Sequence, residues 1–269
     1  MCTVENKRIL LVGAGNLATS LGVALKCAGC PPVGVWSRTA HSARILGTRL
    51  DCFFTDDISQ LPSADIVIIS VSDNALSQVA HNVATYFPQA LIVHTAGSVP
   101  MDILRRAGCK SYGVLYPMQT FSKARVVDFS TVGIFVEGCN ETAQSVIVEV
   151  ASSLGGKVYA ATSEQRRYLH LAAVFACNFS NALYAMSAEI LQRHGLPFDA
   201  MLPLIDETAA KVHRMSPHDA QTGPAQRGDT AVMDSQREAL SGNLLSIYNL
   251  ISEYIEKQKE TNSDNYKLL

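Results

Sequence analysis

The feature that most constrains this chain is a glycine-containing turn that lies between an apolar run and a helical pattern. The run Ile9–Val12 is short and continuously apolar, as expected of a parallel strand buried on both faces. Gly13-Ala14-Gly15-Asn16-Leu17-Ala18 follows it and leads into a helical pattern over residues 17–28. Together these segments predict a strand, a tight turn and a helix, the first unit of an open α/β sheet.

The residues of this turn suit the binding of a dinucleotide. Gly13 permits a tight turn, Gly15 lets the backbone approach a pyrophosphate, and the small Ala18 allows the helix to pack closely on the strand. The first helical residues, Asn16 and Leu17, present free N–H groups to the anion. We therefore predict that these five residues contact a dinucleotide cofactor. The alternative is a glycine turn that merely connects two elements.

Strand and helix patterns alternate up to about residue 161, and only helical patterns follow. Further runs of strand type cover residues 33–36, 65–71, 91–94, 112–115 and 132–136. The helical periods between them predict a doubly wound, mostly parallel Rossmann sheet with helices on both faces. We accordingly predict two domains: residues 1–161 hold the sheet and the cofactor, and residues 162–269 form an all-helical domain for substrate binding and dimerisation.

The end of the second predicted strand decides which dinucleotide is favoured. An NAD enzyme usually places Asp or Glu there to bind the ribose 2′-hydroxyl, but this chain has Ser37-Arg38-Thr39 and no acid. Arg38 can bind a 2′-phosphate through its planar guanidinium, and the two hydroxyl side chains add donors. The sequence therefore favours NADP, against the alternative that Arg38 is only a solvated surface cation.

Two further segments end at the carboxyl edge of the predicted sheet, where open α/β sheets bind ligands. They contribute Ser70, Val71 and Ser72 from one strand end and His94, Thr95, Ala96 and Gly97 from the next. We expect both segments to border the nicotinamide of the cofactor. For His94, a role in capping a helix or bonding to a loop is an equal alternative.

Charge and composition exclude several classes of protein. Lys and Arg number 22 against 24 Asp and Glu and are scattered, so no basic stripe for a phosphate backbone exists. The first apolar stretch is too short for a signal peptide, and no run reaches the roughly 18 consecutive apolar residues of a membrane span. Seven cysteines without framework spacing fit a reducing compartment. We expect a cytoplasmic protein that acts on a small molecule, without nucleic acid or membrane as partner.

Cys27 and Cys30 have the CxxC spacing of half a zinc site or of a redox couple. A structural zinc needs two more ligands at similar spacing, and no second CxxC or close Cys/His pair follows. We interpret the pair as the end of a helix and its turn, and we predict no metal site.

Four separated segments carry a resemblance to a known family. They are His94-Thr95-Ala96-Gly97-Ser98, Tyr116-Pro117-Met118-Gln119-Thr120-Phe121, His170 with Ala172-Ala173-Val174-Phe175-Ala176 and Asn178, and Thr222-Gly223-Pro224-Ala225-Gln226-Arg227-Gly228-Asp229. The chain resembles bacterial proteins in which a Rossmann-like domain is joined to a helical C-terminal domain of unknown function, provisionally named NADP oxidoreductases. More widely it is similar to pyrroline-5-carboxylate reductases and 6-phosphogluconate-dehydrogenase-like reductases.

The chain departs from these relatives at two positions. Tyr116 stands where the bacterial group commonly has His before Pro; a tyrosine can still donate a proton, though more weakly at neutral pH. Related β-hydroxyacid dehydrogenases carry a catalytic lysine four residues before an asparagine, and here Val174 occupies that place before Asn178. The resemblance therefore implies neither their substrate class nor their acid–base mechanism.

Polar residues at helical spacing offer a replacement. His170, Val174 and Asn178 lie four apart on one predicted helix face, and Asn181 lies three further on. His170 could protonate the oxygen or nitrogen formed when a hydride reaches a C=O or C=N carbon; a histidine satisfied inside a helical core is the equal alternative. The asparagines could orient the substrate. Arg227 suits a carboxylate or phosphate, unless it only fixes a turn with Asp229.

Two classes of function remain open at this point. The first is an NADP-dependent oxidoreductase that transfers hydride between NADPH and a small carbonyl or imine, with His170, Asn178 and Tyr116 as its catalytic residues. The second is a non-catalytic sensor that holds NADP; the missing lysine favours it, whereas the polar helix face favours the enzyme. The predicted helix over residues 163–194 is apolar over much of its circumference. That pattern, with the resemblance to dimeric reductases, predicts a homodimer formed through the C-terminal helices.

Overall fold

The computed structural model describes residues 6–123 and 125–265, which form two compact units that divide between Phe179 and Ser180. The first unit contains one sheet. Its strands are β1 (Ile9–Val12), β2 (Gly34–Trp36), β3 (Phe53–Thr55), β4 (Ile66–Ile69), β5 (Leu91–His94), β6 (Ser111–Met118), β7 (Gly133–Gly138) and β8 (Lys157–Ala160). They lie in the order β3-β2-β1-β4-β5-β6-β7-β8, and only the β6–β7 pair is antiparallel. The predicted doubly wound, mostly parallel sheet is therefore confirmed.

Helices cover both faces of this sheet because alternate strand residues point to opposite sides. They are α1 (Asn16–Cys27), α2 (Ala40–Leu50), α3 (Asp73–Tyr86), α4 (Asp102–Arg106), α5 (Glu141–Ser153) and α6 (Ser163–Ala173), the last followed by a π-helical segment, Val174–Phe179. In β1, Leu11 packs into one apolar layer with α1 and α5, and Leu10 packs into the other with α3. This two-sided burial explains why β1 is apolar at every position.

The register of the strands brings their carboxyl ends to one edge. The amide of Gly13 donates to the carbonyl of Trp36 (2.7 Å), and the amide of Ser70 donates to the carbonyl of Val12 (2.7 Å). The amide of Thr95 continues the row by donating to the carbonyl of Ile69 at 3.1 Å. The residues that follow β1, β2, β4 and β5 are thereby placed side by side, which positions the site described below.

Helix α6 belongs to the same compact unit as the sheet. Thr162 and Gln165 form a capping box at its start. The side chain of Arg166, in its first turns, is fully buried and pairs with Glu137 of β7. The units of the structure therefore divide after Phe179, whereas the sequence analysis drew the domain boundary at residues 161 and 162, where the strand patterns end.

The second unit consists of helices. These are α7 (Ser180–Arg193), α8 (Leu202–Lys211), α9 (Pro224–Arg227), α10 (Thr230–Glu238) and α11 (Gly242–Asn265). Gly195, at a φ of 69°, ends the first of them, and Pro197 precedes the next turn, as their sequence predicts. By length and composition alone, the helical stretch Ser163–Arg193 could cross a membrane, but this criterion is also met by helices of proteins without a membrane span.

Candidate functional site

A cleft of about 640 Å³ lies at the carboxyl edge of the sheet, within the first unit. It brings together most of the residues that the sequence analysis assigned to cofactor and catalysis. Those that line it are Gly13, Gly15, Asn16, Leu17, Ser37, Arg38, Thr39, Ser70, Val71, Ser72, Thr95, Ala96, Gly97, Tyr116 and His170. Ala18 lies beneath the turn, fully buried, where its small side chain packs in the core.

Gly13 is required at the start of the turn for two reasons. Its φ of 123° is a conformation that residues with a side chain rarely adopt. In addition, a Cβ at this position would lie 2.0 Å from the carbonyl oxygen of Ser70. The glycine therefore allows the β1–α1 turn to lie directly against the end of β4, and this contact forms the floor of the cleft.

The N-terminus of α1 has the properties of an anion-binding site. Gly15 is its N-cap, without a side-chain hydrogen bond to the first turn, and that turn contains no acidic residue. A Cβ on Gly15 would meet no atom within 4 Å, so the space above the turn is open. Free N–H groups, the positive end of the helix dipole and open space together fit a pyrophosphate.

Arg38 stands at the cleft margin after β2, with an exposed side chain. No carboxylate among the residues that the structure describes forms an ion pair with it. The residues that follow β2, Ser37 to Thr39, include no acid. Its neighbour Thr39 caps α2 by accepting a hydrogen bond from the amide of Ser42 (3.4 Å). Trp36 and Ser42 also line the cleft, although the sequence analysis did not select them.

The other end of the cleft is built around Tyr116 of β6. A Cβ on Gly97 would lie 2.6 Å from Cζ of the tyrosine, so the glycine lets the ring pack against the loop after β5. The Tyr116 hydroxyl lies 3.2 Å from Nδ1 of His170, and the two rings meet edge to face. Burial raises the pKa of Tyr116, while the positive charge of Arg166 opposes that rise. The phenol therefore stays protonated near neutral pH and can act as a proton donor.

An ion pair between a fully buried arginine and a partly buried glutamate lies near Tyr116, and the sequence motifs do not predict it. Arg166 pairs with Glu137, and its Nη2 donates to the carbonyl of Val99 at 2.9 Å. Burial lowers the pKa of Arg166, and the Glu137 carboxylate opposes that effect. The sequence does contain one indication of this ion pair: Arg166 is a charged residue four positions before His170, on the same helix face.

His94 does not line the cleft. Its side chain is fully buried, and Nδ1 accepts a hydrogen bond from the amide of Ala96 at 3.2 Å. Burial, and secondarily the charge of Arg166, lowers the pKa of His94 to about 3. The neutral imidazole thus holds the loop after β5, which is the loop-bonding alternative considered above.

The remaining candidates lie elsewhere. Asn178 is exposed on the π-helical segment and does not line the cleft, and Asn181 is exposed on α7 in the second unit. Arg227 of α9 pairs with Asp229 through Nη2 and Oδ2 at 2.9 Å. Roles for these three residues in substrate binding stay predictions. Within residues 6–123 and 125–265, no three His, Cys, Asp or Glu side chains cluster as metal ligands would.

The segment after β6 completes the wall of the cleft. Pro117, Gln119 and Phe121 line it. The Asn16 amide nitrogen donates to the Phe121 carbonyl at 2.9 Å, which ties this loop to the β1–α1 turn. Asn16 thus supports the cleft wall through a partner 105 residues away in the chain, and its predicted contact with the cofactor stays a prediction.

Comparisons with known proteins agree with this architecture. Residues 4–115 match the model of a Rossmann-like domain, and residues 132–255 match a domain of unknown function, DUF2520. The chain is similar to BF3122 from Bacteroides fragilis, whose crystal structure carries the provisional name of an NADP oxidoreductase, with 44% identity and a TM-score of 0.89. The match covers 95% of this chain and 100% of that one. No protein with a curated description matches the sequence.

Two more distant structures share the fold. Protein TM1727 from Thermotoga maritima has 25% identity and a TM-score of 0.72, and the match covers 95% of this chain and 99% of that one. A pyrroline-5-carboxylate reductase from Coxiella burnetii has 17% identity and a TM-score of 0.59, with 95% and 98% covered. At the latter identity the likeness concerns the fold alone.

Proposed function

We propose that this chain, which belongs to the family in which a Rossmann-like domain is followed by DUF2520, is an NADP-dependent oxidoreductase acting on a small carbonyl or imine. The observation that carries the proposal is the Tyr116–His170 pair, which lines the same cleft as the glycine turn. A protein that only holds a dinucleotide needs no proton donor in that cleft. The names of similar structures, oxidoreductases and reductases, support the same class of reaction.

The residues present fit a nicotinamide dinucleotide. The pyrophosphate would lie against the uncapped N-terminus of α1, over Gly15, where a Cβ would meet nothing. Within residues 6–123 and 125–265 no carboxylate pairs with the Arg38 guanidinium, which is thereby open to a 2′-phosphate, and the end of β2 carries Ser37 and Thr39 beside it in place of an acid. This charge arrangement is why NADP is proposed in preference to NAD.

NADPH, when bound, would be the source of the hydride for the electron-poor carbon of a C=O or C=N group. The oxygen or nitrogen of that group then needs one proton. Tyr116 donates it from its hydroxyl, and His170 returns a proton to the phenolate through Nδ1, at 3.2 Å. His170 in turn recovers a proton from solvent, so the pair ends each cycle as it began.

Binding and turnover test the proposal separately. Fluorescence titration of the protein with NADPH and NADH should show tighter binding of NADPH. Oxidation of NADPH, followed by absorbance with a panel of 2-oxo acids, aldehydes and cyclic imines, should reveal at least one substrate. Tight NADPH binding without turnover of any member would favour the sensor, and equal affinities for both cofactors would contradict the assignment of NADP.

A homodimer through the C-terminal helices is proposed on separate grounds. Leu250 and Tyr254 of α11 are 67% and 64% exposed, and an apolar groove of about 490 Å³ lies between α7, α9, α10 and α11. Apolar surface of this kind commonly marks a contact with another chain. Light scattering at micromolar concentration should give twice the mass of one chain; a monomeric mass would contradict the proposal. A cytoplasmic location stays a prediction.

A further inference from the structure

One buried charge has no part in the proton path given above. Arg166 is fully buried in α6, one helical turn before His170. Its Nη1 pairs with the Glu137 carboxylate, and its Nη2 contacts the Val99 carbonyl at 2.9 Å and the Ser163 hydroxyl at 3.3 Å. A single side chain thus joins α6, β7 and the loop after β5.

Ser163 completes this junction. Its hydroxyl donates to Glu137 at 2.8 Å and accepts from the amide of Met101 at 2.9 Å. The first turn of α6 is consequently held on the sheet by several polar contacts, each of which is shielded at least partly from water. Such contacts depend on direction, so they define one position and one rotation of the helix.

The strand register explains why that position matters for the catalytic pair. Glu137 and Phe135 lie two residues apart on β7 and therefore face the same side of the sheet. Tyr116 is paired directly with Phe135, and their rings lie 6.4 Å apart, so Tyr116 and Glu137 share a face. Arg166 and His170 share a face of α6 because they are four residues apart. Besides the hydrogen bond from Ser163 to Glu137, the helix therefore meets the sheet through Arg166 with Glu137 and through His170 with Tyr116.

Packing alone does not require a charge here. Arg166 is fully buried and loses its hydration, so its ion pair is often no more stabilising than apolar side chains of similar volume would be. The presence of Arg166 and Glu137 beside a proton donor is better explained by an effect on the position and the charge state of Tyr116.

We propose that Arg166, held by Glu137, is a positioning residue: it sets the rotation of α6 that brings His170 to Tyr116, and its charge favours the phenolate left after proton donation. The inference rests on the proposed function only in so far as Tyr116 donates a proton to a substrate. The contact between His170 and Tyr116, and the effect of the Arg166 charge on Tyr116, are properties of the protein without substrate.

The electrostatic surroundings of Tyr116 support this role. Charged or titratable groups on the elements packed around it are His170 and Arg166 of α6, Glu137 of β7 and His94 of β5. His94 is neutral at ordinary pH because its pKa is about 3. Burial raises the pKa of Tyr116 and the Arg166 charge opposes that rise. Burial lowers the pKa of Arg166, and Glu137 and Tyr116 oppose that fall.

The test is a pH titration of Tyr116 by NMR in protein labelled at tyrosine Cζ, with the signal assigned through Tyr116→Phe. Arg166→Met removes the positive charge and should raise the pKa of Tyr116. Glu137→Gln leaves the Arg166 charge without its counterion and should lower the pKa of Tyr116. Arg166→Lys keeps a charge and should stay near the parent protein, as should Arg167→Met, a matched change on the exposed neighbouring arginine of α6.

Shifts of opposite sign in Arg166→Met and Glu137→Gln are the signature of an electrostatic role, since loss of packing alone would not produce them. An unmoved pKa in both variants, or shifts of the same sign, would overturn the inference. If Arg166→Met does not fold, the other two variants still test the inference. The pKa of Tyr116 should fall in Glu137→Gln and should stay at the parent value in Arg166→Lys.

Kinetics separate this inference from the proposed function. Arg166→Met should lower kcat by about 10²-fold, the typical cost of a small misplacement of a catalytic group, with NADPH affinity unchanged. Opposite NMR shifts without turnover of any substrate would leave the positioning role intact and contradict the proposed function. Turnover that persists in Arg166→Met at the parent rate would instead reject the positioning role.

Discussion

The two ends of the cleft are built in different ways. The turn end, residues 13–17 with Arg38, consists largely of consecutive main-chain groups whose conformation depends on Gly13. The hydroxyl end, Tyr116 with His170, consists of side chains from a strand and a helix, 54 residues apart in the sequence. The first can bind an anion wherever this turn forms, whereas the second exists only when α6 is docked on the sheet. Cofactor binding and chemistry should therefore be separable by mutation.

The largest effect is expected at the hydroxyl end. Tyr116→Phe keeps the ring that packs against Gly97 and Phe135 but removes the proton donor, so kcat should fall by about 10²–10⁴-fold. NADPH affinity and the melting temperature should change little. Steady-state kinetics, fluorescence titration and thermal unfolding on one preparation test this prediction.

His170→Ala extends the same test. If His170 supplies protons to Tyr116, turnover should fall within the same range while NADPH binding is kept. A histidine with only a structural role would behave differently, lowering the melting temperature and leaving activity per folded molecule near the parent value. That result would remove His170 from the proton path.

At the turn end, the two glycines should respond differently to alanine. Gly13→Ala places a Cβ 2.0 Å from the Ser70 carbonyl oxygen and strains the φ of 123°, so the free energy of unfolding should fall by about 3 kcal/mol. Gly15→Ala, at a φ of −77° and with nothing within 4 Å, should leave stability unchanged and weaken NADPH binding. Urea unfolding and NADPH titration of both variants measure the contrast. Equal stability losses would show that the close approach to Ser70 is not what requires glycine.

Acid should destabilise the protein through the buried imidazole of His94. The pKa of His94 is lowered from 6.5 to about 3, so below pH 6.5 the unfolded chain binds a proton that the folded protein excludes. His94 therefore has no effect on the pH dependence of the free energy of unfolding above pH 6.5. Below it, the excluded proton lowers that free energy by up to about 1.4 kcal/mol per pH unit, down to about pH 3. His94→Asn should flatten this dependence in urea unfolding. His81→Asn, at an exposed position, should leave it as steep as in the parent protein.

The smallest effect is expected at Arg38. Arg38→Ala removes charge-assisted hydrogen bonds to a 2′-phosphate and should weaken NADPH binding by about tenfold, while NADH binding stays the same. The preference between cofactors, measured by paired titrations, is the decisive quantity. Arg44→Ala, an exposed arginine of α2, serves as the control for a general change in charge. An unchanged preference in Arg38→Ala would contradict the assignment of the 2′-phosphate to this residue.

Local patterns in the sequence determined the sheet, the glycine turn and the residues that follow β1, β2, β4 and β5. They did so because a strand buried on both faces must be apolar throughout, and because a helix N-terminus after two glycines offers free N–H groups. The short β3 was not picked out from its own residues. Two of its three side chains, Phe53 and Phe54, are 46% and 39% exposed, so it lacks the pattern of a buried strand.

Only the tertiary structure decided which polar side chains meet. From the sequence, His170 and Tyr116 are separate candidates, His94 is predicted among the cofactor contacts, and Arg166 has no predicted role. The fold pairs the first two at 3.2 Å, buries His94 in the core and sets Arg166 behind the pair. Spacing along a chain reports which residues share a face of one element. It carries no information on which strand a helix lies against, because that choice depends on complementary surfaces far apart in sequence.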